Sequence, residues 1–323
     1  MSPRQPLSTI FLFTLYVVFL LCPATVNAQE KADVIAQGAT LKEVKAGFTF
    51  TEGPAADAEG NVYFSDVRGG GIYKWNYKDG NISRYREHTG QPNGLMFDQK
   101  GRLVICEMDN NRLTLDDMKG KITVLAESSD SIKLNSPNDL WIDPKGGIYF
   151  SDWLRGRGGK GGGRKGGGGA ESGGGEDGGL QIYYISPDKK GLTPVTKDLI
   201  GPNGLIGTPD GKSLYVADAR GRTTWRYNIQ ADGTLTGKKS FCGQGSDGMA
   251  LDEHGNVYLT DRAGLVVYNS KGQKIKDIPV PASPTNMTFA GKERKTLFIT
   301  ARTSVYTLEM AVRGAPSPLD RAR

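Results

Sequence analysis

Short apolar runs alternate with polar punctuation along most of this chain. From Gly201 to Asn228 it reads GPNGLIGTPDGKSLYVADARGRTTWRYN. An amide, Asn203, stands on a Pro-Asn-Gly turn. An apolar run follows, then an Asp-Gly turn, a run ending at Asp218, and another around Trp225 and Tyr227. Runs of about five residues bounded by Gly, Asp, Asn and Pro predict β-strands joined by tight turns. The same arrangement recurs six times between residues 50 and 310, opening at Glu52, Asn93, Asn138, Asn203, Asp247 and Asn286.

Successive openings lie 41, 45, 65, 44 and 39 residues apart. The long interval holds a Gly-rich insert of 25 residues, 155–179, without which it is 40. A period near 40 with four short strands per unit predicts β-propeller blades. The second repeat spells out its four strands as NGLMFD, GRLVICE, RLTLDD and ITVLAE. No long segment shows a helical period. The sixth repeat runs into a polar tail, 311–323, before a fourth strand, and the stretch Thr40 to Val44 can supply one. The expectation is an all-β, six-bladed β-propeller over residues 38–310, with four antiparallel strands per blade. An N-terminal strand closes the last blade, which leaves no unpaired edge at the seam.

The first 28 residues read as a signal peptide: Arg4, an apolar run from Leu7 to Leu21, and a small-residue cleavage site at Val26-Asn27-Ala28. The run is shorter than the roughly 20 residues that span a bilayer. Export, to a periplasm or to the medium, is therefore expected, with no membrane attachment after cleavage. Beyond that segment only Cys106 and Cys242 remain, and they read as unpaired buried thiols. The net charge of +6 falls mostly on Arg4, the insert and the tail. The near-neutral repeats imply no nucleic-acid partner. The insert cannot bury a core and reads as a flexible segment: a lid, a solvated expansion or an RGG-like nucleic-acid tract, the last disfavoured by export and by its mixed charges.

The chemistry sits at the opening positions, which are all carboxylates or amides. In a propeller the innermost strands surround a channel, so these side chains would converge at one end of it. Asn suits a turn, but Glu at the first copy does not. Two carboxylates among amides call for a cation. Hard oxygen donors without imidazole or thiolate select Ca²⁺ or Mg²⁺, and the irregular set suits calcium better. Mn²⁺ and Zn²⁺ are the other divalent ions such a set can take. No His/Cys cluster supports a zinc site by itself.

The motifs EGP (52–54), PNDL (137–140), PNGL (202–205), SDGM (246–249) and PTNMTFAGKERKTLFITA (284–301) resemble the senescence-marker-protein/gluconolactonase/luciferin-regenerating family. The likeness runs from about residue 45 to 310. It implies a lactone hydrolase using one divalent cation. Glu52, Asn203 and Asp247 would be metal ligands, and Asn138 a further ligand or substrate contact. Asp247 would be the general base, while Asn93, Asn138 and Asn286 would contact substrate. Two departures leave the substrate open: Glu107 is followed by Met108 rather than His, and Ser136 stands where animal relatives carry Arg. The only histidines, His88 and His254, read as turn residues. The partner would be a small-molecule lactone, and the protein a monomer or small homo-oligomer. The rival readings are a non-catalytic propeller binding carbohydrate or protein around a structural metal, and a phosphotriesterase or arylesterase using the same site.

Overall fold

The computed structural model describes residues 33–153 and 180–321, together with Met1. The expected signal peptide and Gly-rich insert lie outside the described residues. Within them the chain is antiparallel β throughout, and the one helical turn is a 3₁₀ segment at Pro318–Arg321.

The first repeat holds β1 (Lys42–Ala56), β2 (Val62–Asp66), β3 (Gly71–Trp75) and β4 (Ile82–Arg86). The second holds β5 (Pro92–Phe97), β6 (Leu103–Glu107), β7 (Arg112–Asp116) and β8 (Ile122–Glu127). The third holds β9 (Pro137–Ile142), β10 (Ile148–Asp152), β11 (Gln181–Ile185) and β12 (Leu192–Pro194). The fourth holds β13 (Pro202–Gly207), β14 (Ser213–Asp218), β15 (Thr223–Ile229) and β16 (Leu235–Cys242). The fifth holds β17 (Met249–Leu251), β18 (Val257–Asp261), β19 (Gly264–Tyr268) and β20 (Lys274–Pro279). Last come β21 (Asn286–Ala290) and β22 (Thr296–Glu309).

The inner strands β1, β5, β9, β13, β17 and β21 touch in that order, and β21 returns to β1, which closes the ring. The architecture is a propeller. Its sheet count differs from the expected six: among the described residues there are five, four of four strands and one of six in the order β21-β22-β1-β2-β3-β4. The cause is the length of two strands. The first part of β1 pairs with β22 (Lys42 opposite Thr307), and its last part pairs with β2 (Ala56 opposite Val62). One unbroken strand thus belongs to both ends of the ring. Strand β22 doubles back at Arg302, where φ is 52°, so that Met310 N donates to the Lys295 carbonyl at 2.7 Å.

Second strands such as β2, β6 and β10 are buried along their whole length because each sheet is covered on both faces by its neighbours. Outer strands such as β4 are half-buried to exposed along their length. Apolar clusters fill the wedges between sheets. One joins Val104, Cys106 and Leu113 to Ile142, Ile148 and Phe150. At the seam, Phe64 and Phe298 meet with ring centroids 5.5 Å apart, both fully buried. Each such phenyl contributes about 2–3 kcal/mol by leaving water. Both thiols, Cys106 and Cys242, are buried and free. The tail folds back across the ring: Gly314 N donates to the Arg294 carbonyl and Ala315 N to that of Leu251.

Candidate active site at the channel mouth

Each inner strand starts at the same end of the channel, and in three repeats a carboxylate fixes where. Asp66, at the end of β2, accepts from Thr49 N and Phe50 N. Asp152 accepts from Asn135 N and Ser136 N, and Asp218 from Ile200 N and Gly201 N. In each case the clamped amides lie two and three residues before the opening residue: Glu52, Asn138 or Asn203. Charge-assisted bonds of this kind are stronger than neutral ones, so the entry to the inner strand is held firmly. The FSD and VAD endings of these strands were visible in the sequence, but this role was not.

Past the clamp, the ladder skips two residues. Pro92 pairs with Glu107 and Leu95 with Ile105, leaving Asn93 and Gly94 as a bulge. Asn138 and Asp139 are skipped in the third repeat, and Asn203 and Gly204 in the fourth. Bulges re-aim side chains beside functional sites. By this register Met249 (opposite Leu259) and Met287 (opposite Ile299) are equivalent to Leu95. The residue two places earlier in the last repeat is therefore Thr285, not Asn286. Thr285 turns into the seam, donating to the Thr51 carbonyl at 2.7 Å. The expected equivalence of Asn286 with the other openings is corrected by one position, because a six-fold reading of amides cannot see a bulge.

Asn286 shares its place with Gly53, Gly94, Asp139, Gly204 and Gly248. Glycine is needed there because neighbouring repeats touch. A Cβ on Gly53 would lie 2.1 Å from the Asn93 carbonyl oxygen, and one on Gly204 would lie 2.5 Å from that of Asp247. The side chains of Asp139 and Asn286 fill the middle, with Asn286 Nδ2 3.5 Å from Asp139 Oδ2. Asp139 Oδ1 also accepts from Leu140 N, and Asn286 Oδ1 from Met287 N. The sequence reading missed Asp139, although it is the one acidic residue where four other repeats carry Gly.

Glu52, Asn203 and Asp247 come together. Asn203 Nδ2 donates to Asp247 Oδ1 at 2.6 Å. Glu52 Oε2 accepts from Gly53 N at 3.0 Å. Burial and then the charge of Asp247 push the Glu52 carboxyl well above the usual carboxylate range. Burial raises Asp139 to about 7. Asp247 is raised to about 6, again by burial, against the Asn203 hydrogen bond and the charge of Arg302. Asn93 is buried but faces sideways, its Nδ2 3.2 Å from Met108 Sδ. Asn138 is buried at the same level of the ring.

A cation fits this set. The buried Asn203 Oδ1 has no hydrogen-bond partner. It belongs to the amide that donates to Asp247, whose charge raises the proton affinity of Glu52. Among the described residues no group of three His, Cys, Asp or Glu could hold a metal alone. The donors are instead Glu52, Asp247 and the amide oxygen, a hard-oxygen set of the kind calcium takes. Below Asp139 and Asn286 the channel continues as a cavity of about 120 Å³, lined by Leu95, Phe97, Trp141 and Leu251 and bordered by Ala315 and Leu319 of the tail.

Residues 50–303 match the family model described as the SMP-30/Gluconolactonase/LRE-like region. The chain belongs to that family. The lactonase drp35 of Staphylococcus saprophyticus is 27% identical over 276 residues, covering 80% of this chain and 75% of that protein. A solved gluconolactonase of Xanthomonas campestris superposes with a TM-score of 0.74 at 27% identity, over 88% of this chain and 92% of that one. A calcium-binding regucalcin of Agrobacterium tumefaciens shares the fold, with a TM-score of 0.70 at 19% identity over 87% and 97% of the two chains.

The departures from the family's motifs have visible consequences in this member. Glu107 serves the sheet, accepting from Asn110, Arg112 and Thr114. Met108, in place of a histidine, borders Asn93. Ser136 is fully buried. His88, in a loop, and His254, in a turn, are both exposed.

Proposed function

We propose that this protein is an exported hydrolase of lactones that works with one divalent cation, most suitably Ca²⁺, held by Glu52, Asn203 and Asp247. The observation that carries this reading is the unpartnered, buried Oδ1 of Asn203, the amide that donates to Asp247. The family membership and the lactonase and gluconolactonase relatives supply the reaction class. In this reading the six repeats form six blades, two of which share β1.

When bound, the cation supplies Lewis-acid stabilisation of the oxyanion that develops on the ester carbonyl. The protein's own residues do the rest. Asp247, oriented by the Asn203 amide, accepts a proton from the water that attacks the carbonyl carbon. The tetrahedral centre then collapses: the ring C–O bond breaks, and Asp247 returns the proton to the departing oxygen. The product is an open-chain hydroxy acid. Asn138 and Asn93 orient the substrate at the mouth, and Asn286 braces Glu52 from below.

The test is hydrolysis of a lactone, an aryl ester and a phosphotriester, each with and without chelator. Chelator-sensitive lactone hydrolysis that Asp247→Ala abolishes is the expected result. Bound calcium with no turnover of any of the three would overturn it in favour of a non-catalytic binding propeller.

A further inference from the structure

We infer that the substrate carries a negative charge besides its lactone, received by a rim of arginines around the channel mouth. The inference deepens the hydrolase reading above and rests on it.

In each repeat the second strand rises to the mouth, and in five of them the turn that follows is among the described residues. The turns described are Val67–Gly70, Met108–Asn111, Ala219–Arg222, Arg262–Ala263 and Arg302–Thr303. They hold five arginines, Arg68, Arg220, Arg222, Arg262 and Arg302, and no lysine. All five are exposed. Among the described residues none of the five is ion-paired to a carboxylate. The carboxylates beside these turns are the buried Asp66 and Asp218, which accept from Gly69 N and Gly221 N, Glu107, paired with Arg112, Asp109 within a turn, and Asp261 at the end of β18, whose Oδ1 accepts from Ala263 N. The turns at the other end of the ring are built differently. There acid and base alternate and pair, as in Arg102–Asp98 at 2.6 Å and Lys212–Asp210 at 3.8 Å. Among the exposed turn residues described, unpaired positive charge therefore collects on the face where the site opens, around an acidic, buried floor.

Two of the guanidiniums are held without being neutralised. Arg220 stacks over Trp153 at 4.7 Å, and Arg68 over Phe50 at 5.3 Å. Phe50 lies two residues before Glu52. The Arg220 side chain packs against Gly201, two residues before Asn203. A stacked guanidinium keeps its N–H edge for a carboxylate, sulfate or phosphate. Arg302 lies opposite Thr51 in the ladder, next to Glu52, and its charge reaches Asp247. The acidic floor formed by Glu52, Asp139 and Asp247 would repel an anion placed deep in the channel. The geometry therefore separates two functions: the ester carbonyl enters toward Asp247, and the anionic end stays at the rim.

The test compares two lactones of one ring size: glucaro-1,4-lactone, with a free carboxylate, and the neutral galactono-1,4-lactone. We expect kcat/KM at least about tenfold higher for the acidic one, with most of the difference in KM. It should fall severalfold between about 20 and about 300 mM salt, while the neutral lactone shows little change. The Arg68→Gln/Arg220→Gln double variant should erase the preference, and Arg→Lys at both positions should restore part of it. Equal kcat/KM with no salt dependence overturns the inference and leaves lactone hydrolysis standing. Hydrolysis of neither lactone overturns the hydrolase reading. In that case calorimetry with the dianion glucarate against gluconate decides the rim: tenfold tighter glucarate binding supports it, and equal binding overturns it.

Discussion

Asp139 and Asn286 face each other across the channel from the third and sixth repeats, Oδ2 to Nδ2 at 3.5 Å, at the one bulge position where the other repeats carry Gly. They form a bridge beneath Glu52, whose carboxylate also interacts with Asn286. A bridge that orients a ligand acts like the outer partners of metal sites, whose loss costs about 10–100-fold in affinity or rate. Asp139→Asn keeps the shape and removes the charge; Asn286→Ala removes the bridge. Both should weaken calcium binding by about tenfold or more in titration calorimetry, with the melting temperature of the calcium-free protein changed little. Unaltered affinity in both variants would reduce the pair to packing.

Gly53 tests the closeness of the repeats. Its φ is 45°, and a Cβ there would meet the Asn93 backbone at 2.1 Å. Backbone cannot yield as a flexible side chain can. Gly53→Ala should therefore destabilise the fold by about 2–3 kcal/mol through strain and overpacking. It should also displace Glu52. Urea unfolding monitored by tryptophan fluorescence checks the first effect, and calcium affinity the second.

The unpartnered Asn203 Oδ1 makes a separate prediction about the cation. Calcium at about 100 times its Kd should stabilise the protein by about 2.7 kcal/mol. Asn203→Leu removes both the donor oxygen and the bond to Asp247. Its melting temperature should no longer respond to calcium or chelator. A retained calcium response in that variant would place the ion elsewhere.

The repeats, the propeller and the convergence of Glu52, Asn203 and Asp247 were legible because strand alternation and turn residues are local signals. Three features were not. The fusion of two sheets through β1 depends on Lys42 to Ala56 running without a break, although it holds Gly47 and Gly53, both at positive φ. The place of Asn286 depends on a bulge, which is a property of the pairing of two strands. The acceptor role of Asp66, Asp152 and Asp218 links residues about 17 positions apart, beyond any local pattern. Asp139 could have been found by comparing the position after each opening residue, where Gly is the rule.

Asp152 gives a pH dependence that is independent of the cation. Its carboxylate is fully buried, and burial lifts it to about 6 even though Asn135 N and Ser136 N donate to it at 2.9 and 2.7 Å. The unfolded value is about 3.9. Between these two values the folded protein binds more protons than the unfolded chain, so stability falls as pH rises. The contribution is greatest below about pH 4, is lost progressively to about pH 6, and is constant above that. The full loss is about 2–3 kcal/mol. Asp152→Asn keeps an acceptor for one amide and cannot titrate. Urea unfolding of both proteins at about pH 4.5 and about pH 7.5 isolates the group, because other titrations cancel in the difference. The stability of the wild type relative to the variant should drop at the higher pH. A rise instead would show that the two amide donors outweigh burial and hold this carboxylate ionised in the fold.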